Sequence, residues 1–131
     1  MKTETEKELA ACRAAFKGVP AGAWCWLIHH NILAERLLEP IEARIACILA
    51  DKPEWQHPRR FREMRPVKAV DDPVFVAAVA AWDCAGADWE RALDRTWADL
   101  GRPVEPLHRR EQPESAWDGE TIFPEGENGE V

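Results

Sequence analysis

Residues 72–100, DPVFVAAVAAWDCAGADWERALDRTWADL, decide the fold. Asp72-Pro73 reads as an N-cap followed by proline at the first helical position, where a missing amide costs nothing and φ is already helical. Behind this pair Phe75, Val79, Trp82, Trp89, Leu93, Trp97 and Leu100 recur at intervals that are sums of three and four, so one side of a long helix is aromatic-rich. Trp82, Trp89 and Trp97 read as a core stripe rather than a ligand cage. The acidic residues Asp83, Asp88, Glu90, Asp94 and Asp99 fall on the same run, with Glu90 and Asp94 on one side, away from the stripe. Gly86 is a point of bending, and Gly101 with Pro103 ends the helix.

Working outward, shorter helices precede this one. Thr5 and Glu8 have capping-box spacing, and Leu9, Cys12 and Phe16 follow as one helical face. Gly18, Pro20 and Gly22 turn the chain. Over residues 23–28 the pattern fits two structures: Trp24, Trp26 and Ile28 alternate as in a strand, while Trp24, Leu27 and Ile28 suit a helix. Asn31 predicts the N-cap of a short helix carrying Ile32, Leu33, Leu37 and Leu38. Glu39-Pro40 opens another, with proline at its first position, Ile41, Ile45 and Ile48 as its buried stripe, and Lys52-Pro53 as its stop. His57-Pro58 interrupts any helix beginning at Pro53.

After Gly101 periodicity ceases. The expected architecture is therefore mainly α: a helical domain over residues 1–101, a small β contribution near residues 23–28, and an irregular, acidic Pro/Gly/Glu-rich tail over 102–131. Within the tail, residues 117–123 should dock on the body, because Trp117, Ile122 and Phe123 would otherwise leave an apolar patch exposed. Phe16, Trp24, Ile28, Ile41, Ile45, Ile48, Phe75, Val79, Trp82, Trp89 and Leu93 are the expected core.

A length of 131 residues suits one domain. No apolar stretch reaches the roughly 20 residues of a membrane span, and the opening MKTETEKE lacks the apolar core of a signal peptide; a cytoplasmic protein is expected. Cys12, Cys25, Cys47 and Cys84 are scattered singly, which in a reducing compartment suits small buried hydrophobes. The net charge of −7 is unevenly placed. Residues 102–131 hold eight acidic and three basic side chains, whereas residues 52–70 hold six basic and two acidic ones. A basic middle and an acidic tail suit either the steering of a charged partner or neutralisation of one segment by the other.

Chemistry-bearing residues concentrate in residues 24–42, where Trp24, Cys25, Trp26, His29, His30, Glu35, Glu39 and Glu42 stand among apolar neighbours. Cys25 and His29 have Cys-x3-His spacing, which on a helix makes an acceptable zinc pair, with His30 or Glu35 as a further ligand and His57 or His108 approaching in space. The competing expectation is packed histidines hydrogen-bonded to carboxylates such as Glu35 or Glu39, with no metal and no cofactor, and that is the one the sequence favours. A Cys25–His29 nucleophile and base, or a His–Glu acid–base pair, lacks an oxyanion loop, a nucleophile elbow or a phosphate cradle, so no enzyme is expected. Arg59, Arg60, Arg62 and Arg65, with Trp55 and Phe61 among them, offer an alternative as nucleic-acid contacts through phosphate pairing and stacking.

Three stretches together are more specific: WCWLIHHNILAERLLEPIEARIACILADKP at 24–53, RRFREMRPVK at 59–68 and LHRREQPESAWDGETIF at 107–123. In order and spacing they resemble a family of small proteins carried by phages, prophages and other mobile elements, marked by an aromatic–His-His–Glu-Pro-Ile-Glu block, an Arg-Pro-Val and a terminal WDG-x-TIF. Relatives often carry Cys-x-x-Cys just before the WDG motif, where this chain has Gln112 and Ser115; the resemblance thus implies half a metal site lost here. It also implies a small viral protein that works by protein contact in the bacterial cytoplasm. The expected partner is a host protein or ribonucleoprotein, such as a CRISPR effector, whose cationic surface Asp83, Asp88, Glu90, Asp94 and Asp99 would face. If Trp89 lies in the core stripe, Trp89→Ala costs about 3–5 kcal/mol; an unchanged melting temperature contradicts the assignment.

Overall fold

The computed structural model describes residues 3–28, 33–86, 102–118 and 121–126. Helix α1 spans Glu4–Ala15, strand β1 Trp24–Trp26, strand β2 Glu35–Arg36, helix α2 Ile41–Asp51, helix α3 His57–Glu63, strand β3 Arg65–Pro66, helix α4 Pro73–Gly86 and helix α5 Glu105–Glu111. Short 3-10 turns at Glu54–Gln56 and Arg102–Val104 lead into α3 and α5. The protein is mainly α, with a small antiparallel sheet ordered β2-β1-β3.

The ambiguous residues 23–28 resolve as a strand, and its alternation organises the molecule. Successive strand residues point to opposite faces. Cys25 and Leu27 enter one core with Cys12 and Phe16 of α1, Leu37, Ile45 and Ile48 of α2, and Phe61 of α3. Trp26 enters a second core with Leu33, Val67, Phe75, Ala78, Trp82, Val104 and Leu107, against which Trp24 and Ile28 also pack. Trp24 stacks on Trp82 at 5.0 Å between ring centroids, and Phe75 meets both Trp24 and Trp26 edge-on. Of the expected core residues, Trp24, Ile28, Ile41 and Val79 are only partly buried, and Trp89 and Leu93 lie outside the described residues.

Several local expectations shift. The chain has two overlapping Thr-x-x-Glu patterns, and the earlier one caps α1: Thr3 Oγ1 accepts from the Glu6 amide at 3.1 Å, which gains two more helical residues than a cap at Thr5. The helix predicted from Asn31 is absent over residues 33–38, whose chain is extended and pairs with β1, Cys25 opposite Glu35. That pairing buries Leu33 and Leu37 on opposite cores and leaves Leu38 81 % exposed. Pro40 precedes the first helical residue of α2 instead of occupying it. Asp72 caps α4 as expected, its carboxylate accepting from the Val74 amide at 2.9 Å.

Within residues 102–126 the described part carries α5 and packs on the body. Val104, Leu107 and His108 are buried, as are Ile122 and Phe123. Two carboxylates hold this part in place. Glu111 accepts from the Trp26 indole at 3.1 Å and from the Lys68 and Ala69 amides at 2.7 and 2.9 Å. Buried Glu63 accepts from the Ser115 hydroxyl and, at 2.9 Å, from the Ala116 amide, while Gln112 reaches the Glu63 carbonyl. Removing an acceptor from a buried donor costs about 1–3 kcal/mol per group. Glu111→Ala, which leaves the Trp26 indole and the half-buried Ala69 amide without their acceptor while the exposed Lys68 amide turns to water, should therefore cost about 2 kcal/mol or more, and Glu111→Gln, which keeps one oxygen, clearly less. Urea midpoints of the two variants measure this order, and equal midpoints refute the clamp.

Candidate partner-binding surface

The carboxylates expected to meet a partner sit on and beyond α4. Asp83 is exposed and stands 3.4 Å from Arg36 Nη2, a long contact between two exposed side chains and of little energetic weight. The same guanidinium lies 4.8 Å above the Trp24 ring, so Arg36 is held mainly by the indole, and Asp83 is left facing outward. Asp88, Glu90, Asp94 and Asp99 lie outside the described residues.

The basic segment is engaged inside the molecule. Arg59 donates to the Ile122 carbonyl at 3.1 Å and pairs with Glu125. With Arg60 it brackets the Phe123 ring, at 5.1 and 4.9 Å. Arg60 also donates to Gln56. Arg62 faces Glu8 at 3.9 Å, and Arg65 caps α3 through the Phe61 and Met64 carbonyls. Each of these side chains thus has a contact within the molecule. Of the two readings of the charge asymmetry, Arg59 and Glu125 display the internal one: the basic middle secures the acidic end.

The metal alternative named Cys25, His29 and His30. Cys25 is fully buried, its thiol donates to the Ala23 carbonyl at 3.6 Å, and burial pushes its pKa up to about 11; a thiolate ligand is disfavoured there. Its position on a strand also removes the helical spacing that would have paired it with His29. His29 and His30 lie outside the described residues. Among the described residues no group of three His, Cys, Asp or Glu side chains gathers in metal-binding geometry. Glu35 pairs with Arg44 at 2.7 Å and Glu42 with Arg13 at the same distance, while Glu39 stays exposed. His57 Nε2 contacts the Lys52 carbonyl at 2.8 Å and so fastens α3 to the end of α2.

Between β1, α2 and α3 lies a cavity of about 240 Å³ lined by Leu27, Arg44, Cys47, Ile48, Lys52 and Glu63, among others. It falls below the roughly 300–1,000 Å³ of ordinary ligand pockets. No described helix is long and apolar enough to cross a membrane. No protein-family model matches the chain, and no curated protein or solved structure is similar to it.

Residues that proved central had no visible signal in the sequence. Glu63 and Glu111 stand among other charged residues and look like solvated side chains. His108 looked like a stray ligand. It is fully buried, lies 5.1 Å from the Trp26 ring, and neither ring nitrogen has a hydrogen-bond partner among the described residues. Burial lowers its pKa from 6.5 to about 4, with nearby Glu111 opposing and Arg109 reinforcing the shift. The unfolded chain thus takes up this proton near pH 6.5 and the folded chain only near 4. Stability is full above the first value and is lost as pH falls toward the second, by about 3 kcal/mol. His108→Leu should abolish that share of the acid loss and be at least as stable at pH 7. Urea unfolding of both proteins at pH 7, 5 and 4 tests this; parallel losses refute it.

Proposed function

We propose that this chain is a non-enzymatic protein of a phage or other mobile element that acts in the cytoplasm of its bacterial host. It binds a macromolecular complex with a basic surface, of the kind a CRISPR effector presents, and inhibits it by covering that surface. The observation that carries this reading is where the charge is left over. Arg13, Arg36, Arg44, Arg59, Arg62 and Arg110 each stand against a carboxylate of the same chain. The exposed carboxylates of Glu4, Glu6, Glu39, Asp51, Glu54, Asp71 and Glu114 have no such partner among the described residues, against five exposed cations in the same position, Lys7, Lys17, Lys52, Lys68 and Arg109, so the acidic groups are in excess. With a net charge of −7, the uncompensated sign on the surface is negative, which attracts cationic partners and repels nucleic acid. The three motif stretches that resemble mobile-element proteins supply the biological setting.

Affinity capture from a bacterial lysate treated with nuclease tests the proposal. A nucleic-acid surveillance complex should be retained, released as salt rises from 0.1 to 0.5 M, and weakened about tenfold or more by Glu90→Lys combined with Asp94→Lys. Retention of DNA or RNA that is lost on replacing Arg59, Arg60 and Arg62 would overturn it in favour of a nucleic-acid-binding protein.

A further inference from the structure

Guanidinium groups sit over aromatic rings at several places in this molecule: Arg36 over Trp24, and Arg59 and Arg60 over Phe123. Trp55 has no guanidinium of the described residues over its ring. Its ring meets the edge of Phe123 at 5.4 Å and 78°, which fixes the indole, yet the residue remains 44 % exposed. It lies in the 3-10 turn Glu54–Gln56 that precedes α3, where the turn and the Phe123 contact hold it without covering it.

In front of it runs an open groove of about 590 Å³ between that turn and the first turn of α1, lined by Thr3, Glu4, Thr5, Glu54, Trp55 and Pro58. Two carboxylates and an indole line it, and among the described residues no cation does. Glu4 and Glu54 take part in no ion pair of the described residues, whereas Glu8, Glu35, Glu42 and Glu125 each face an arginine. Thr3 is occupied by capping α1. Glu4 favours the start of α1 from its first turn, but neither carboxylate is neutralised by a cation of the described residues, and no described guanidinium stacks on the indole.

An aromatic face beside unpaired carboxylates suits one ligand chemistry: a cation held over the ring and neutralised from the side. Such contacts contribute about 0.5–1 kcal/mol when exposed and about 2 or more when desolvated, and a planar guanidinium adds bidentate bonding to a carboxylate. A phosphate would meet repulsion from both carboxylates. The groove is wide open to solvent, which gives an extended chain access. We propose that the Glu4–Glu54–Trp55 groove docks an arginine of an extended basic peptide segment on a protein partner. This rests on the reading of the chain as a binder of basic surfaces and locates one point of attachment.

The probe is a capped peptide of alternating glycine and arginine, titrated calorimetrically into the full chain at low salt, with the isosteric citrulline peptide as its neutral counterpart. Glu4→Gln with Glu54→Gln is compared with Glu39→Gln with Glu114→Gln, which removes the same charge elsewhere on the surface. Circular dichroism verifies that both double variants keep the helical fold. The arginine peptide should bind and the citrulline peptide should not. Glu4→Gln/Glu54→Gln should weaken binding about tenfold or more, and the control pair less than twofold. Trp55→Phe should weaken it by a smaller factor, as the smaller ring is the poorer cation acceptor. Equal weakening by the two double variants would overturn the groove and leave a general attraction to an acidic surface. Absence of any arginine-peptide binding would also overturn it; the larger reading then stands or falls on lysate capture.

Discussion

The buried indole N–H of Trp26 is the constraint around which the rest is arranged. Trp26 is fully enclosed by the second core, and an N–H taken from water without an acceptor is expensive. The chain meets that demand with a carboxylate, Glu111, whose oxygens also receive the amides of Lys68 and Ala69. One side chain thereby fixes the central strand, the link from β3 to α4, and the end of α5. Glu63 repeats the device on the other side, with a hydroxyl and an amide as its donors. In both cases the charge is stabilised by hydrogen bonds from neutral groups, which leaves the arginines to pair elsewhere.

The parts of this fold that could be read from sequence share a property. In α2 and α4 the apolar period runs for three turns or more and a proline or an Asp-Pro pair marks the start, so local chemistry suffices. In α3 and α5, each 7 residues long, there are too few turns for a period to emerge, and burial of Phe61, Leu107 and His108 decides the structure instead. Residues 33–38 were misleading because Leu33, Leu37 and Leu38 have helical spacing, yet a β1 partner for the open edge of Trp24–Trp26 is available only from the folded context. The arginine cluster at 59–65 was misleading for a similar reason. Its density is local, but the groups that satisfy it, Ile122 and Glu125, come from more than sixty residues away.

The Glu-Pro-Ile-Glu, Arg-Pro-Val and WDG-x-TIF residues turn out to be contacts of the fold. Glu42 of Glu-Pro-Ile-Glu holds Arg13 across to α1, and Ile41 packs on the first core. Val67 of Arg-Pro-Val is buried beneath α4 and its amide bonds to the Trp24 carbonyl at 3.0 Å. In the terminal motif Asp118 closes a turn with Thr121, and Ile122 and Phe123 bury themselves beside α3. These residues specify a shape, which explains why they suggest no reaction.

Trp26 and Glu111 are separated by 85 positions, and that interval has a temporal meaning during synthesis. At about 5–20 residues per second a translating ribosome needs roughly 4–17 seconds to add them. Through that time the nascent strand carries Trp24 and Trp26 with no acceptor for the indole and no α5 beside it. Non-local closure of this kind is slow compared with helix formation. The central strand therefore stays unsealed until Glu111 has been added and has left the ribosome.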